Sequence, residues 1–238
     1  MEEFFATSFL PTGCNSSFIT LIPKVLNPMG VTEYRPISLI GLQYKIVAKI
    51  LATRMAAVIG SVVGAEKSAF IKDRQILDGP LMVNELVQWF KKRKKKLMIL
   101  KIDFEKVYDS LSWEFLDQIM GVMGFPSSWR RWINTCLCSS WSSVLVNGSP
   151  TKEFRLFRGL RQGDPLSPFL FILAMEGLHV AMEDAVDAGL YSPVRLDMDG
   201  FQISHLFYAD DALFMGNSLK RMWKSWWVSY IASIWFQV

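Results

Sequence analysis

The sequence predicts a mixed α/β fold, and three observations carry that prediction. Short apolar runs of strand character alternate with longer stretches of helical spacing along the chain. One of those runs, Leu97-Met98-Ile99-Leu100-Lys101-Ile102, closes on a carboxylate, Asp103. Near the end of the chain, apolar residues alternate into Phe207-Tyr208-Ala209-Asp210-Asp211 through Ile203 and Leu206, and leave it through Leu213, Phe214 and Met215. Two strands are expected to meet there, with the paired aspartates in the turn. Half of the 238 residues are hydrophobic (51%), enough to bury a sizeable core.

Taken in order, residues 1–17 carry a brief apolar segment, then Pro11, Gly13 and polar residues, and predict no defined element. The run Phe18 to Val25 predicts a strand whose edge presents Lys24, and Asn27 to Gly30 a turn. Ser38 is placed to cap a helix to about Val63, with Leu42, Ile46, Ile50 and Met55 at helical spacing. A polar break at Gly64 to Ser68 leads to Ala69 to Asp78, after which Leu81 to Phe90 predicts a helix. The run Lys91-Lys92-Arg93-Lys94-Lys95-Lys96 follows it directly, as a solvated helix end favoured by the dipole, a nuclear-import signal or a clamp on nucleic acid.

Beyond Asp103, Trp113, Leu116, Met120 and Met123 line one face of a helix that Gly124 and Pro126 end, and Trp129 to Leu137 predicts another. Ser143 to Asn147 and Glu153 to Phe157 flank Gly148-Ser149-Pro150 as a hairpin. Arg155, Arg158 and Arg161 recur every three residues, as a basic stripe for phosphate or as separate surface arginines. In Gln162-Gly163-Asp164-Pro165, glycine lets the backbone approach a ligand, Asp164 caps a helix and Pro165 takes its first position. That helix runs to about Ala188, apolar on most sides, and its glycine-fronted start suits a phosphate.

Two adjacent carboxylates at a tight turn repel each other unless a cation lies between them and a third acid. Asp103 is the candidate third acid. Three such oxygen donors suit Mg²⁺, with Mn²⁺ as an alternative, and phosphoryl transfer by two ions is the chemistry they support. Read on its own, the Asp-Asp pair is also ordinary hydrophilic turn chemistry.

Three blocks resemble the palm motifs of reverse transcriptases: Lys101-Ile102-Asp103-Phe104-Glu105-Lys106-Val107-Tyr108-Asp109-Ser110, Arg161-Gln162-Gly163-Asp164-Pro165-Leu166-Ser167-Pro168 and Phe207-Tyr208-Ala209-Asp210-Asp211. More narrowly they look like those of non-long-terminal-repeat (LINE-type) retrotransposons of the kind abundant in plants. Leu21-Ile22-Pro23-Lys24 and Tyr34-Arg35-Pro36-Ile37-Ser38 resemble two fingers motifs of the same family. The likeness covers about residues 4–219 and departs at Val107 and Asp73, where alanine and glycine are usual. It implies fingers over 1–95, a palm with an antiparallel sheet over 96–219 and an aberrant or truncated tail over 220–238, the thumb and endonuclease domains being supplied by a full-length element.

The resemblance also implies the chemistry: RNA-directed DNA polymerisation onto a primer 3′-hydroxyl, with an RNA template, a DNA primer and dNTPs as partners. Asp103, Asp210 and Asp211 would be catalytic and hold the metal. Lys24, Arg35, Arg161, Gln162 and Gly163 would contact the nucleotide, and Tyr108 would exclude a ribose 2′-hydroxyl by its bulk. An inactive remnant that binds nucleic acid weakly is the alternative, and an intron maturase or a viral RNA polymerase a third, the latter disfavoured by Tyr108.

Charge and cysteines bound the setting. The six-cation run carries +6 of a formal net charge of +4, so everything outside it sums to −2 and the basicity is local. Three cysteines, Cys14, Cys136 and Cys138, without a signal-peptide pattern fit a reducing intracellular setting, expected to be nuclear, and with two histidines they match no common zinc spacing. No apolar stretch is long enough to predict a membrane span.

Overall fold

The computed structural model describes residues 2–64, 78–103, 107–196, 202–208 and 211–216. The elements follow in the order α1 (Glu2–Thr7), β1 (Ser16–Pro23), a 3-10 turn (Val31–Glu33), β2 (Tyr34–Ile40), α2 (Leu42–Val62), α3 (Asp78–Lys92), β3 (Met98–Asp103), α4 (Val107–Ser110) and α5 (Trp113–Val122). Then come α6 (Ser127–Cys138), β4 (Trp141–Val146), β5 (Ser149–Pro150), β6 (Phe154–Arg155), α7 (Ser167–Asp187), β7 (Val194–Arg195), β8 (Gln202–Ile203), β9 (His205–Tyr208) and β10 (Asp211–Gly216). The chain forms two compact units, each discontinuous in sequence: Met1–Ala57 with Tyr108–Phe171, and Val58–Val107 with Ile172–Val238.

In the first unit a sheet runs in the order β2-β1-β4-β5, with β6 also on β4. β1 pairs antiparallel with β2 from Ser17↔Ile40 to Pro23↔Tyr34, and parallel with β4. Ser38 therefore lies in a strand and caps no helix. Pro36 explains the difference: it biases Arg35 to extended backbone and its missing N–H is harmless on β2, an edge strand. The following helix begins only at Leu42, and its buried face is Tyr44, Ala48, Leu51 and Met55, so that of the expected face Met55 is buried while Leu42 is 73% exposed and Ile46 44%.

Residues 2–7 are helical where no element is expected. Apolar contact with a distant helix holds them, the Phe5 ring meeting Trp132 edge-on at 5.2 Å and its carbonyl accepting the Trp132 indole N–H. α5 starts at Ser112, whose hydroxyl accepts the Phe115 N–H, and ends where expected, at Gly124 in the left-handed region (φ 78°). The β4–β5 turn falls at Asn147-Gly148, both at positive φ as a two-residue hairpin demands, one position earlier than expected.

In the second unit β3, β10 and β9 form an antiparallel sheet with β10 in the middle. α3 covers it with Leu86 and Phe90, which share a core with Val194, Ile203, Leu206 and Met215. Within this unit α7 is buried from Ile172 to Met175 and turns Glu183, Asp184 and Asp187 to solvent, and its buried Glu176 accepts the N–H of Gly64, just past the end of α2. No described helix is long and apolar enough to cross a membrane. Residues 65–77, which include most of the Ala69 to Asp78 block with Asp73, and the tryptophan-rich tail lie outside the described residues.

Candidate active site

The ladder that carries the acids is set by backbone register. Asp211 pairs with Asp103, and the pairing continues through Ala212↔Ile102, Leu213↔Lys101, Phe214↔Leu100 and Met215↔Ile99 to Gly216↔Met98. On its other side Asp211 pairs with Tyr208, so the strands do meet at the aspartates, with Asp211 opening β10 rather than sitting in the turn. Asp210 lies outside the described residues. The register is held by what lies on it: Ala212 and Met215 have no exposed surface, and Leu206, Phe207 and Phe214 are buried. A one-residue slip would turn that apolar set outward.

The far end of β10 is equally constrained. A Cβ on Gly216 would come 3.0 Å from the Ser192 carbonyl and 3.1 Å from the Tyr191 hydroxyl, because Pro193 bridges to it. Behind the hairpin, His205 of β9 and His179 of α7 are buried with ring nitrogens 2.8 Å apart, and Ser204 Oγ lies 2.7 Å from the other nitrogen of His205. These contacts tie the hairpin to α7.

The other expected site residues belong to the first unit. Lys24 and Arg35 are both exposed at the end of the β1–β2 ribbon where residues 24–33 connect its strands. With Ile22 opposite Arg35 and the Lys24 N–H bonded to the Glu33 carbonyl, the pleat puts both cations on one face, and Lys24 Nζ donates to the Thr32 carbonyl at 3.0 Å.

The loop between β6 and α7 docks on β2. The Gln162 carbonyl accepts the Ser38 N–H at 2.8 Å, and Gly163 stands at φ 97° with the Ser38 carbonyl 3.2 Å from where a Cβ would be. Asp164 is buried (5% exposed) and anchors the loop. One carboxylate oxygen accepts from the Tyr44 hydroxyl at 2.7 Å and from Arg161 Nη2 at 3.1 Å, the other from the Leu166 N–H at 2.9 Å. Asp164 and Pro165 thus form a turn before α7, which begins at Ser167, two residues after the expected start.

Arg161 leaves the expected basic stripe. Its side chain is 7% exposed, its guanidinium lies 4.3 Å from the Tyr44 ring centre, and Nη1 donates to the Asn15 carbonyl, while Arg155 and Arg158 stay at the surface. Burial, then the Asp164 charge, hold the Tyr44 hydroxyl well above the usual tyrosine range. Burial likewise pushes the neighbouring Cys136 thiol far up, so it is inert.

Tyr108 sits in the single turn α4 with its ring stacked on Phe171, centroids 5.0 Å apart at 26°. Its carbonyl accepts the Leu160 N–H, and the Gly159 N–H is bonded to the Leu111 carbonyl at 2.8 Å. Gly159 is a residue that sequence reasoning passed over. It stands at φ 80°, and a Cβ there would lie 2.6 Å from the Asp109 carbonyl oxygen and 2.8 Å from that of Tyr108, so only glycine fits. Its one sequence signal is the bare glycine after Arg158. Trp113, expected only as core, also fixes this loop through an indole N–H to the Gly159 carbonyl at 2.7 Å.

A three-stranded antiparallel sheet with two aspartates registered opposite each other is the arrangement the palm motifs imply, and comparison with known proteins decides the family. The profile of the reverse transcriptase (RNA-dependent DNA polymerase) family matches residues 22–228. The chain belongs to the reverse transcriptase family. It is 30% identical over 176 residues to the transposon TX1 uncharacterized 149 kDa protein of Xenopus laevis, covering 74% of this chain and 14% of that protein. It is 26% identical over 185 residues to the Pol polyprotein of the type-1 retrotransposable element R2 of Popillia japonica, covering 76% of this chain and 25% of that protein. Both relatives are proteins of transposable elements, and the chain spans no more than a quarter of their length.

The fold of this reverse transcriptase domain is shared more widely. A telomerase from Candida tropicalis, solved in complex with a fragment of telomeric RNA, superposes with a TM-score of 0.59 at 13% identity, covering 94% of this chain and 39% of that one.

Proposed function

We propose that the chain carries the polymerising centre of a retrotransposon reverse transcriptase, adding deoxynucleotides to a primer 3′-hydroxyl on an RNA template. The observation that carries this reading is the register Asp211↔Asp103 at one end of the β3–β10 ladder. Like charges placed directly opposite on antiparallel strands cost stability, about 0.2–1 kcal/mol. That cost has a use if a cation is to be held.

An all-carboxylate donor set fits a hard divalent ion, so Asp103, Asp210 and Asp211 would hold Mg²⁺, or Mn²⁺ in its place. When bound, such ions lower the pKa of an attacking hydroxyl and neutralise charge on the leaving oxygen. The remaining steps belong to the chain's own side chains and backbone. Lys24 and Arg35, on one face of the β1–β2 ribbon, would steady the pyrophosphate of the incoming dNTP as charge develops on it. Gly163 lets the Gln162-Gly163 backbone come close to the nascent base pair. Arg161 would act through this loop, which it anchors with Asp164, instead of touching the nucleotide. The Tyr108 ring, backed by Phe171, would bar a 2′-hydroxyl by clash.

Primer extension on homopolymer RNA with Mg²⁺ and dNTPs, set against an Asp210→Ala, Asp211→Ala double variant, tests the reading. Template-dependent extension by the wild-type chain and none by the variant is expected. Equal signal from both proteins would overturn it.

A further inference from the structure

The six-cation run ends α3 in a fixed geometry. The Lys95 N–H bonds to the Phe90 carbonyl and the Lys94 N–H to the Lys91 carbonyl, with Lys94 itself at φ 53°. These are the two bonds of a Schellman cap, normally closed by glycine. The cap turns Lys91, Lys94 and Lys95 onto the rim of a cleft of about 520 Å³ whose floor includes Phe90, Leu97 and Ile99. All of residues 91–96 are exposed.

A helix end satisfied only by water has no need of six cations in succession, which repel one another, nor of a cleft between them. With the rest of the chain at −2, this is where a polyanion is attracted. Lysines are point charges that suit single phosphates and lack the planar fork that reads base edges. The nearby Trp89 ring offers no stacking platform, because Arg93 covers it at 4.0 Å and Lys95 lies 5.2 Å from its centre. The backbone from Arg93 to Lys95 is bonded into the helix end, which does not suit a receptor that must take a basic run as an extended strand.

We propose that the capped end of α3 and its cleft form a binding site for the sugar–phosphate backbone of a nucleic-acid strand, held by charge without base contacts. The site takes its occupant from the polymerase reading, and β3 links the two directly. From Ile99 at the cleft to Asp103 is four residues of strand, about 13 Å, so a strand bound here passes within a few nucleotides of the acids.

Fluorescence anisotropy of a labelled RNA, single-stranded and annealed to DNA, titrated with the full chain across a salt series without Mg²⁺ or dNTPs, tests this. The Lys91→Gln, Lys94→Gln, Lys95→Gln variant should weaken binding about tenfold or more and flatten the slope of log Kd against log salt by about 2 to 3. The matching Lys→Arg variant should bind like wild type, and Lys45→Gln, Lys49→Gln, Lys152→Gln, which removes three exposed lysines elsewhere, should change Kd less than about twofold. Unchanged binding by the cleft variant with a native circular-dichroism spectrum would overturn the site, as would an equal loss in the control variant. Tighter binding of the wild type to an acidic peptide or to anionic vesicles at the same salt would overturn the occupant. Absence of primer extension with the binding pattern intact would sink the polymerase reading and leave this site standing.

Discussion

Two regions hold candidate site residues by different means. In β3–β10 the aspartates are positioned by main-chain register, in a ladder that runs on from Asp211↔Asp103 to Gly216↔Met98. In the loop from Gly159 to Leu166 the backbone is irregular, and a buried network of Arg161, Asp164 and Tyr44 fixes it. The comparison teaches where each region is fragile. A register tolerates a change of charge, whereas a polar network out of water fails when one member is removed. Chemistry and stability should therefore separate at the ladder and fall together at the loop.

The sharpest test of the ladder is Asp103→Asn or Asp211→Asn. Each should lower primer extension by about three orders of magnitude, the several kcal/mol of a lost charge-stabilising ligand. Urea midpoints without metal should hold or rise, because the opposed like charges are relieved. A drop in stability of about 1 kcal/mol or more would show that the carboxylates support the sheet, and would break the contrast.

At the loop the contrast predicts the opposite pairing of effects. Asp164→Ala strands the Arg161 guanidinium in a site where the two side chains are only 7% and 4% exposed, and should cost about 3–5 kcal/mol of unfolding free energy. Replacing both partners with apolar side chains, Arg161→Met with Asp164→Leu, should recover much of that loss, which separates a stranded charge from simple loss of packing. No recovery would place the network's worth in its hydrogen bonds instead.

Gly159→Ala probes the same loop at its other end. The left-handed backbone and the 2.6 Å approach to the Asp109 carbonyl should together cost about 2 kcal/mol or more. Because the displaced main chain carries the Tyr108 carbonyl, discrimination between dNTP and rNTP incorporation should fall in the same variant. Loss of stability with discrimination unchanged would detach Gly159 from Tyr108.

The ladder was the more legible region in the sequence, for a physical reason. Strand character follows from local pattern, and Ile203, Leu206, Phe214 and Met215 mark the β9–β10 hairpin without reference to the rest of the chain, while the distant partner Asp103 was suggested by the third acid that paired aspartates call for. The loop network joins Tyr44 to Asp164 across 120 positions, and no local pattern reports that pairing. Arg161 illustrates the cost: its spacing with Arg155 and Arg158 suggests a surface stripe, yet burial against Tyr44 and Asn15 is a tertiary fact. Ser38 failed differently. A cap residue four positions before a run of helical spacing is a fair helix signal, but Pro36 had already committed the segment to an edge strand.

The smallest effect is also the one that isolates the network by pH. The folded chain holds the Tyr44 proton to a higher pH than the unfolded chain does, chiefly because the ring is buried and then because Asp164 faces it. Cys136 beside it is shifted the same way, and in the second unit burial pushes Tyr191 up to about 12. Unfolding therefore releases protons in alkali, so stability is complete below about pH 8.5, where unfolded thiols begin to titrate, and declines further above about pH 10, where unfolded tyrosines do. Tyr44 alone should contribute a slope of up to about 1.4 kcal/mol per pH unit above 10. Tyr44→Phe should cost about 1.5–3 kcal/mol at neutral pH, the worth of a hydrogen bond to a carboxylate, and make the alkaline decline shallower by that slope. Asp211→Asn should leave the decline as it is, since it leaves the Tyr44 phenol and its partners untouched. Urea midpoints at pH 8, 10 and 11 read both variants, and an alkaline limb unchanged by Tyr44→Phe would mean that the phenol is not held from water by the network at all.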